Sequence, residues 1–338
     1  MSAIPDLSAA RRIAEVFQHA WLEAPIGDLE SALRDHTAPD YHWRGSRPLY
    51  EKDNLSAACR EALEPLRHAF HPLKRREYIS ISGLNDADGG KSVWTCSLGH
   101  LSGPFVSEWL GFLPTQQLVQ LRYAEFQKIE GDQVAETALL FDQGDFLRQI
   151  GLDPFPHQLG ARHVFPPPWK AGRRDCGLEV AQETADLVNR MIEDLDLLNK
   201  TGNDTCPPEY LARSWHDDMA WYGPAGIGAM MTIPLYQAQH QYPFRQGLSN
   251  KQYHGHVARI ADGDYAAFFG WPNLSNSPRE GYLGLPASDI RGEMRIVDVY
   301  RRDRDKLAEN WVIIDLPHYF ASFGIDLLEQ ARAAQNRD

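Results

Sequence analysis

The sequence contains few cysteines and no long apolar segment, and each scarcity excludes a class of protein. Its four cysteines are scattered over 338 residues without a C-x-x-C pair, which argues against a disulfide framework and a cysteine-based zinc site. No stretch approaches 18 consecutive apolar residues, and the N-terminal segment MSAIPDLSAARR lacks the apolar core of a signal peptide. We therefore expect a reduced, cytoplasmic protein with no membrane partner.

Basic residues are fewer than acidic ones. The chain has 34 lysines and arginines against 46 aspartates and glutamates, which gives a formal net charge of −12. Nucleic acids and anionic membranes both attract basic patches, so we expect neither as a partner. The pair Gly226-x-Gly228 is not a nucleotide loop, because no complete G-x-G-x-x-G is present there and no Gly-Lys-Ser/Thr follows. The sequence predicts no cofactor and no metal.

A long internal repeat organises the chain. When the sequence is shifted by 173 residues, segment 109–153 aligns without a gap on segment 282–326, and nine of the 45 positions are identical. A repeat of this length indicates a duplicated domain rather than a solenoid, whose periods run to about 20–50 residues. Charged residues recur at several positions: Arg122 with Arg295, Glu136 with Glu309, Asp142 with Asp315 and, conservatively, Glu125 with Asp298.

Each copy is expected to begin with helices and to continue with strands. Hydrophobic periodicity predicts helices over 8–22 and 52–69 in the first copy and over 178–199 in the second. Pairs such as Gly89-Gly90 and Gly131-Asp132 are typical of hairpin turns. The predicted strands are 41–44, 74–84, 91–101, 105–112, 117–130 and 134–142 in the first copy, and 217–222, 255–261, 264–272, 279–284, 290–302 and 308–316 in the second.

This order of elements predicts an α+β fold, in which a strongly curved antiparallel sheet wraps around helices and leaves a cone-shaped pocket. We expect two such domains in tandem, at 1–160 and 178–338. The proline-rich stretch HVFPPPWKAGRR cannot continue a helix or a central strand, so residues 161–177 are interpreted as the linker.

An aspartate ends the last strand of each copy. Asp142 follows an alternating strand that begins at Glu136, and Asp315 does the same after Glu309. Because the strand is apolar on both faces, an acid at its end lies either in a pocket wall or at a helix N-cap, and the two roles can coexist. The residues alone leave both alternatives open.

The string Asp142-Gln-Gly-Asp-Phe-Leu-Arg-Gln-Ile-Gly151, preceded by Leu113-Pro114-Thr115, resembles the closing signature of the SnoaL-like polyketide cyclases, which belong to the nuclear transport factor 2-like superfamily of α+β cones. The turn departs from the family pattern by having Gln116 in place of glycine. The resemblance implies that Asp142 is the general acid/base of an intramolecular aldol-type closure, with His100 at the position of a family histidine.

The second copy resembles the ester cyclase branch of the same superfamily over most of residues 215–326. Asn273 stands where the first copy has His100, and the family's Q-x-G is missing before Gly324. The strings that carry this resemblance include Asp218-Met-Ala-Trp221-Tyr-Gly-Pro, His240-Gln-Tyr-Pro-Phe244, Gly270-Trp271-Pro272, Leu283-Gly284-Leu285-Pro286 and Glu309-Asn310-Trp311-Val-Ile-Ile-Asp315.

We therefore expect acid/base catalysis (cyclase, isomerase or hydrolase) on a small hydrophobic molecule that carries a carbonyl group. An aspartate walled by apolar groups has a raised pKa and can take a proton next to a carbonyl. The candidate catalytic residues are Asp142, His100, Asp315 and His240. The candidate substrate-binding residues are Trp43, Trp109, Arg122, Trp221, Tyr222, His254, Trp271 and Arg295.

Plainer interpretations stay open beside this one. The protein could bind or scaffold without catalysis, since this fold carries many functions. Arg122 and Arg295 could pair with Glu136 and Glu309 across adjacent strands. The pair His254-Gly-His256 suits a zinc ion only with further ligands, so no metal is predicted there. The tryptophans could belong to the core first. Either a monomer or a homodimer is expected.

Overall fold

The structure is a computed structural model that describes residues 6–155, 159–162, 164–200, 206–279 and 281–336. The chain divides into two compact units. The first unit contains the residues up to Leu152 and those from Leu328 onward, and the second unit runs from Asp153 to Leu327. The segment predicted as a linker therefore falls in the second unit, apart from His163, which lies outside the described residues.

The first unit opens with helices and closes with a six-stranded sheet. A π-helical turn at Cys59–Leu63 joins two of its helices. Its helices are α1 (Leu7–Glu23), α2 (Leu29–Arg34), α3 (Leu55–Ala58), α4 (Glu64–Ala69) and α5 (Gln143–Gln149). Its strands are β1 (Thr37–Gly45), β2 (Tyr50–Lys52), β3 (Lys74–Leu84), β4 (Val93–Pro104), β5 (Leu118–Glu130) and β6 (Gln133–Phe141).

The second unit repeats this plan with a seven-stranded sheet. Another π-helical turn, at Gln237–Gln241, joins two of its helices. Its helices are α6 (Leu178–Lys200), α7 (Pro208–Ala212), α8 (Ile233–Tyr236), α9 (Tyr242–Gly247) and α10 (Leu316–Ala321), and α11 (Leu327–Gln335) follows. Its strands are β7 (Trp215–Tyr222), β8 (Ala229–Met231), β9 (Leu248–Tyr253), β10 (Ala258–Asp262), β11 (Tyr265–Pro278), β12 (Gly292–Asp303) and β13 (Lys306–Ile314).

The two sheets have the same strand order. In the first it runs β3-β4-β5-β6-β1-β2, and in the second β10-β11-β12-β13-β7-β8, with β9 added on β11. All neighbours are antiparallel except β1 with β6 and β7 with β13. The predicted α+β class, with curved sheets wrapped on helices in tandem, is confirmed.

A local backbone feature also recurs at the repeat spacing. Leu110 and Gly111 both have positive φ angles, of 54° and 80°, and so do Leu283 and Gly284, with 52° and 81°. Left-handed backbone is uncommon for leucine, so its presence at both positions marks a turn that the fold requires twice.

The two faces of each sheet have different surroundings. In the first unit the helix-side face packs against α1, where Gln18 contacts Gln127 of β5 at 3.1 Å. The outer face of the same strand carries Ala124 and Phe126, which are also buried. In the second unit the helix-side face carries Phe268 and Tyr300, in one core cluster with residues of α6. Strand alternation therefore separates a helix-lined interior from a second buried face.

Two predicted strands are wrong. Residues 105–112 form only single bridges at Phe105 and Trp109, because the left-handed turn at Leu110 interrupts the extended backbone. Residues 281–284 form a turn with a short 3-10 helix at Tyr282–Gly284. The helical segment 233–247 was not predicted from the sequence. Among the described residues, no helix is both long and apolar enough to cross a membrane.

Candidate functional site

The aspartates that follow the last strand of each unit are helix N-caps. Asp142 Oδ1 accepts a hydrogen bond from the Asp145 amide at 3.1 Å, and Asp315 Oδ1 accepts one from the His318 amide at 3.2 Å. Both carboxylates are nearly inaccessible to solvent. The structure therefore shows the capping alternative, but in a buried setting rather than on the surface.

Each capping aspartate also forms a buried ion pair with an arginine. Arg122 Nη1 lies 3.6 Å from Asp142 Oδ2, and Arg295 Nη1 lies 3.8 Å from Asp315 Oδ2. The backbone repeats the contact, since the amide of each aspartate donates to the carbonyl of its paired arginine. The expected cross-strand pairs with glutamate are wrong, because Glu136 pairs instead with Arg44, and Glu309 with Arg301.

These ion pairs lie on the outer face of each sheet. His100 is the strand neighbour of Arg122, so the structure does bring His100, Arg122 and Asp142 to one face. Burial, with the charges of Arg122 and Arg76, lowers the pKa of His100 to about 4, and its Nδ1 lies 3.0 Å from the Tyr78 hydroxyl. These contacts favour a structural role, and the catalytic role of His100 and Asp142 stays a prediction.

In the second unit, most of the predicted ligand contacts occupy the same outer face. The guanidinium of Arg295 stacks over the Trp271 ring at 3.8 Å. Tyr222 stacks on Trp311 with ring centroids 5.4 Å apart. Asp315, Arg295, Trp271 and Tyr222 are thus separated by the thickness of the sheet from the helix-lined interior, where a cone pocket is expected.

Two tryptophans predicted to line a pocket are part of the core of the first unit. Trp43 and Trp109 are both fully buried. Trp109 contacts the rings of Phe70, Phe141 and Phe146 edge-on, at centroid distances of 5.3, 5.9 and 5.0 Å. Both side chains therefore stabilise the packing of the helix-side face, as the core interpretation of the tryptophans expected.

The helix-side face of the second unit carries an acid, Asp298, whose partners differ from those of the strand-end aspartates. Asp298 lies in the middle of β12, opposite Phe268 of β11 and Val312 of β13. It faces the interior and is partly buried. Burial raises the pKa of Asp298 from 3.8 to about 6.

The partners of Asp298 are neutral. Asn310 Nδ2 approaches its Oδ1 at 3.5 Å, and the hydroxyl of Tyr300 interacts with the same carboxyl group. Burial, together with the nearby Asp298 charge, raises the pKa of Tyr236. Within the described part of the chain, Asp298 takes part in no ion pair, whereas Asp142, Asp315 and Glu309 each have an arginine.

His240 lies in the same interior, and a π-helical turn places it there. Its ring stacks on Trp221 with centroids 4.1 Å apart and planes 18° apart, and Tyr236 lies 5.4 Å away. Burial lowers the pKa of His240 to about 3, so the imidazole is neutral at pH 7 and can donate or accept a hydrogen bond. Single π turns are frequent at functional sites. Of the predicted residues, His240 and Trp221 are the two that face Asp298's side of the sheet.

The two histidines of the His254-Gly-His256 motif have different partners. His254 Nε2 lies 2.7 Å from Ser275 Oγ, and His256 Nδ1 lies 2.7 Å from the Tyr253 hydroxyl. Burial, with the charge of Arg259, lowers the pKa of His256 to about 3. The Tyr253 side chain is half exposed to solvent. The described residues contain no group of three or more His, Cys, Asp or Glu side chains arranged to hold a metal.

The first unit has an acid at the repeat-equivalent position, but that acid is neutralised. Glu125 on the helix-side face of β5 lies 2.8 Å from Arg75 Nη1. The same guanidinium lies 4.4 Å from the centre of the Tyr123 ring. The π turn of this unit has Ala62 where the other has His240. The first interior therefore lacks both the unpaired carboxyl and the imidazole of the second.

One pattern in the sequence could have predicted Asp298 as a candidate site residue. The repeat aligns it with Glu125, and period-two alternation places it on the face opposite to Arg295, three residues earlier. The family signature instead pointed to the aspartates at the strand ends, and these were predicted as the catalytic acids. The arginine partners, by contrast, have no such signal, because Arg75 and Glu125 are 50 residues apart in the chain.

Comparison with known proteins finds no family model that matches this chain and no matching curated protein. Among solved structures, an NTF2-like protein from Burkholderia xenovorans LB400 is 12% identical, with a TM-score of 0.33, over 42% of this chain and 96% of its own. A "putative SnoaL-like polyketide cyclase" from Jannaschia sp. CCS1 is 15% identical, with a TM-score of 0.32, over 42% of this chain and 92% of its own.

A third similar structure is AclR from Streptomyces galilaeus, which is described as "a putative hydroxylase". It is 17% identical, with a TM-score of 0.35, over 43% of this chain and 83% of its own. The structural neighbours are thus NTF2-like and SnoaL-like proteins, each of which matches less than half of this chain. These likenesses concern the course of the backbone and assign no activity to it.

Proposed function

We propose that the second unit binds a small, largely apolar molecule with a carbonyl group in its helix-lined interior, and that Asp298 acts there as a general acid/base. The observation that carries this proposal is an interior carboxyl group without a cation, held by Asn310 and Tyr300. A carboxylate with a pKa near 6 is ionised at pH 7 yet basic enough to take a proton efficiently.

The chemistry requires no reactant besides the substrate. The Asp298 carboxylate takes a proton from the carbon next to the carbonyl, and the electrons of the C–H bond move onto the carbonyl oxygen as an enolate. In a substrate with a carbon–carbon double bond conjugated to the enolate, the proton then returns to the far carbon of that double bond, and the double bond shifts, which is an isomerisation. In a cyclisation, the enolate carbon attacks a second carbonyl of the same molecule, and Asp298 gives its proton to the new alkoxide.

Hydrogen-bond donors on the same side of the sheet as Asp298 supply the stabilisation that an enolate needs. The hydroxyl of Tyr236 and the neutral imidazole of His240 are close to each other in the interior, with ring centroids 5.4 Å apart. Donors in a low-dielectric site stabilise developing negative charge more strongly than they do in water. The flat ring of Trp221 beside them favours an aromatic or other planar substrate.

Proton exchange next to a carbonyl tests the proposal without knowledge of the natural substrate. The probe is 2-tetralone in D₂O, with loss of the α-proton signal followed by NMR. We expect Asp298→Asn to lower the protein-dependent rate by about 10²–10⁴-fold. The wild-type rate is expected to rise with pH and to reach half its maximum near pH 6, because the reactive form is the carboxylate.

Asp315→Asn is the matched control, since it makes the same change at a buried acid on the outer face. It is expected to keep the exchange activity. Loss of activity in a folded Asp315→Asn protein, with Asp298→Asn unaffected, would move the site to the strand-end pair and refute the role of Asp298.

Binding without catalysis is the second candidate, and the first unit favours it for its own interior. The Arg75–Glu125 ion pair leaves that interior without an unpaired carboxylate at the position equivalent to Asp298. A wild-type protein that binds 2-tetralone but does not exchange its protons above the rate in buffer would extend this binding function to both units.

A further inference from the structure

We propose a second ligand site in the second unit, on the outer face of its sheet, for an uncharged aromatic molecule. A cavity of about 360 Å³ lies there beneath the proline-rich segment. Small-molecule sites occupy about 300–1,000 Å³, so this cavity has the size of such a site. It is distinct from the interior around Asp298 and does not depend on the function proposed for that residue.

Alternation along β7 separates the residues of this strand that line the cavity from those that belong to the interior core. Ala220 and Tyr222 line the outer cavity. Met219 and Trp221, which alternate with them, belong to the interior core. Met230 of the edge strand β8 also lines the cavity although it belongs to the interior core, so the cavity extends around the edge of the sheet; neither His240 nor Asp298 lines it.

The roof of the cavity is anchored at three of its described residues. Ala161 pairs with Ala229 as an isolated antiparallel bridge. Trp311 Nε1 donates to the carbonyl of Pro166 at 3.0 Å, and the Trp169 amide donates to the Glu309 carboxylate at 3.3 Å. At the bridge, a side chain at Gly160 would place its Cβ 2.5 Å from the Ala229 carbonyl, so glycine permits the close approach. The walls are thus held in place by the protein itself, which lowers the cost of binding.

The lining of the cavity selects the chemistry of its occupant. Trp169 and Tyr222 contribute flat rings, Met230 and Met231 contribute adaptable thioethers, and Gln239 contributes the one side-chain amide. None of the lining side chains is charged. An uncharged ligand with an aromatic ring system fits this lining, because a charged one would lose its hydration without gaining a partner.

The exposed apolar side chains around the cavity favour a small molecule over a protein partner. Val164, Trp169, Met231 and Leu235 are each 40–50% exposed, and all four line the cavity. Scattered exposed apolar residues are ordinary, but a cluster around one cavity marks a binding site. Protein interfaces engage about 20–30 residues on each side, whereas eleven residues line this site.

Titration calorimetry with N-phenyl-1-naphthylamine, an uncharged aromatic probe, tests the proposal on the full chain. Met231→Lys and Leu235→Lys place an ammonium at the rim without disturbing the core. We expect each to weaken binding at this site by about tenfold or more, so that the protein loses one equivalent of bound probe. Ile290→Lys, at an apolar residue that is 58% exposed and lies outside the cavity, is the control and is expected to bind like the wild type.

Three outcomes overturn the proposal. The first is an equal number of bound probe molecules in the rim variants and the wild type. The second is loss of this binding in Asp298→Asn, which would place the probe in the interior; retained binding with lost exchange activity keeps the two proposals separate. The third is a wild-type dimer, seen by light scattering, that Met231→Lys converts to a monomer, which would assign the face to a second copy of the chain.

Discussion

Buried carboxyl groups in this protein have two kinds of partner in place of water. Glu125, Asp142, Glu309 and Asp315 each lie within 4 Å of an arginine nitrogen. Asp298 has an amide and a phenol in place of a cation. Burial raises the pKa of Glu125 and of Glu309, and the arginine beside each of them offsets part of this effect. Among the described residues, Asp298 has no ion pair to do the same, and this difference is the basis of the chemistry proposed for it.

The raised pKa of Asp298 makes stability depend on pH. The folded protein, with a pKa near 6, binds this proton more tightly than the unfolded chain, with a pKa near 3.8. The resulting stabilisation is complete below about pH 4 and is lost as the pH rises through 6. We expect Asp298→Asn to raise the free energy of unfolding at pH 7 by up to about 3 kcal/mol, and to leave it unchanged near pH 4.

Urea unfolding of the wild type and the Asp298→Asn variant at pH 4 and pH 7 measures this difference. A variant that is less stable than the wild type at pH 7 would contradict the idea of an unpaired interior carboxylate. Asp217→Asn, at an exposed position of β7, is the control, and its free energy of unfolding is expected to match that of the wild type at both pH values.

The Arg122–Asp142 pair is expected to behave in the opposite way. Asparagine is also a good N-cap, so Asp142→Asn keeps the cap but leaves the buried Arg122 guanidinium without its nearest counter-charge. We expect it to destabilise the first unit by about 3 kcal/mol. The double variant Arg122→Met with Asp142→Asn is expected to recover part of this loss in urea unfolding. A loss below about 1 kcal/mol in the single variant would show that the pair matters little.

At the scale of elements, the segment 164–177 acts as a strap on the second unit rather than as a free connection. Beyond the roof of the cavity, the Gly172 amide donates to the Tyr265 hydroxyl at 2.8 Å. The Arg173 amide and guanidinium both donate to Asp264, and the Asp175 amide donates to Asp262 at 2.8 Å. Its backbone polar groups thus find partners on the tip of one hairpin, which is why a proline-rich stretch is held in a single course.

Removal of one anchor is expected to release this strap. Asp264→Ala eliminates three hydrogen bonds that hold Arg173. Lys170, Arg173 and Arg174 are trypsin sites within the segment. We expect the wild type to resist cleavage there and the variant to be cut at least about tenfold faster, because proteolysis follows the population of the opened segment. Asp217→Ala is the control, and equal cleavage of all three proteins would show that the strap is already open.

At the scale of the whole molecule, the chain passes between the units twice. It leaves the first unit after Leu152 and returns to it at Leu328. Leu328 and Ala331 of α11 belong to the core cluster of the first unit. Arg332 Nη1 donates to the Leu110 carbonyl at 3.1 Å, on the left-handed turn of the first copy. The C-terminal helix thus completes the unit that the N-terminus begins.

Truncation of one side chain in α11 tests this connection. Leu328 is 1% exposed, so Leu328→Ala is expected to destabilise the first unit by about 2–4 kcal/mol through lost burial and a cavity. Hydrogen exchange is the measurement, and the amides of the first unit are expected to lose protection together. Gln330→Ala, on the exposed side of the same helix, is the control. Loss of protection confined to the second unit would contradict the assignment of α11.

Much of this arrangement is local and therefore readable from residues alone. The helix 8–22, the strands around the hairpin turns and the 173-residue repeat all follow from side-chain periodicity and turn chemistry within short stretches. The strand-end position of Asp142 and Asp315 is equally local, and so is the alternative that they cap helices. Two strands were wrong because leucine and tyrosine patterns do not reveal a left-handed turn.

Which face of a strand becomes an interior is decided only by the tertiary structure. Alternation places Asp298 opposite to Arg295, but helices from elsewhere in the chain determine which of the two faces becomes the helix-lined interior. The same holds for the arginine partners, because Arg75 reaches Glu125 from another strand and neutralises an acid that the repeat presents as equivalent to Asp298. Pattern is a property of neighbouring residues, whereas desolvation and charge pairing depend on groups that only folding brings together.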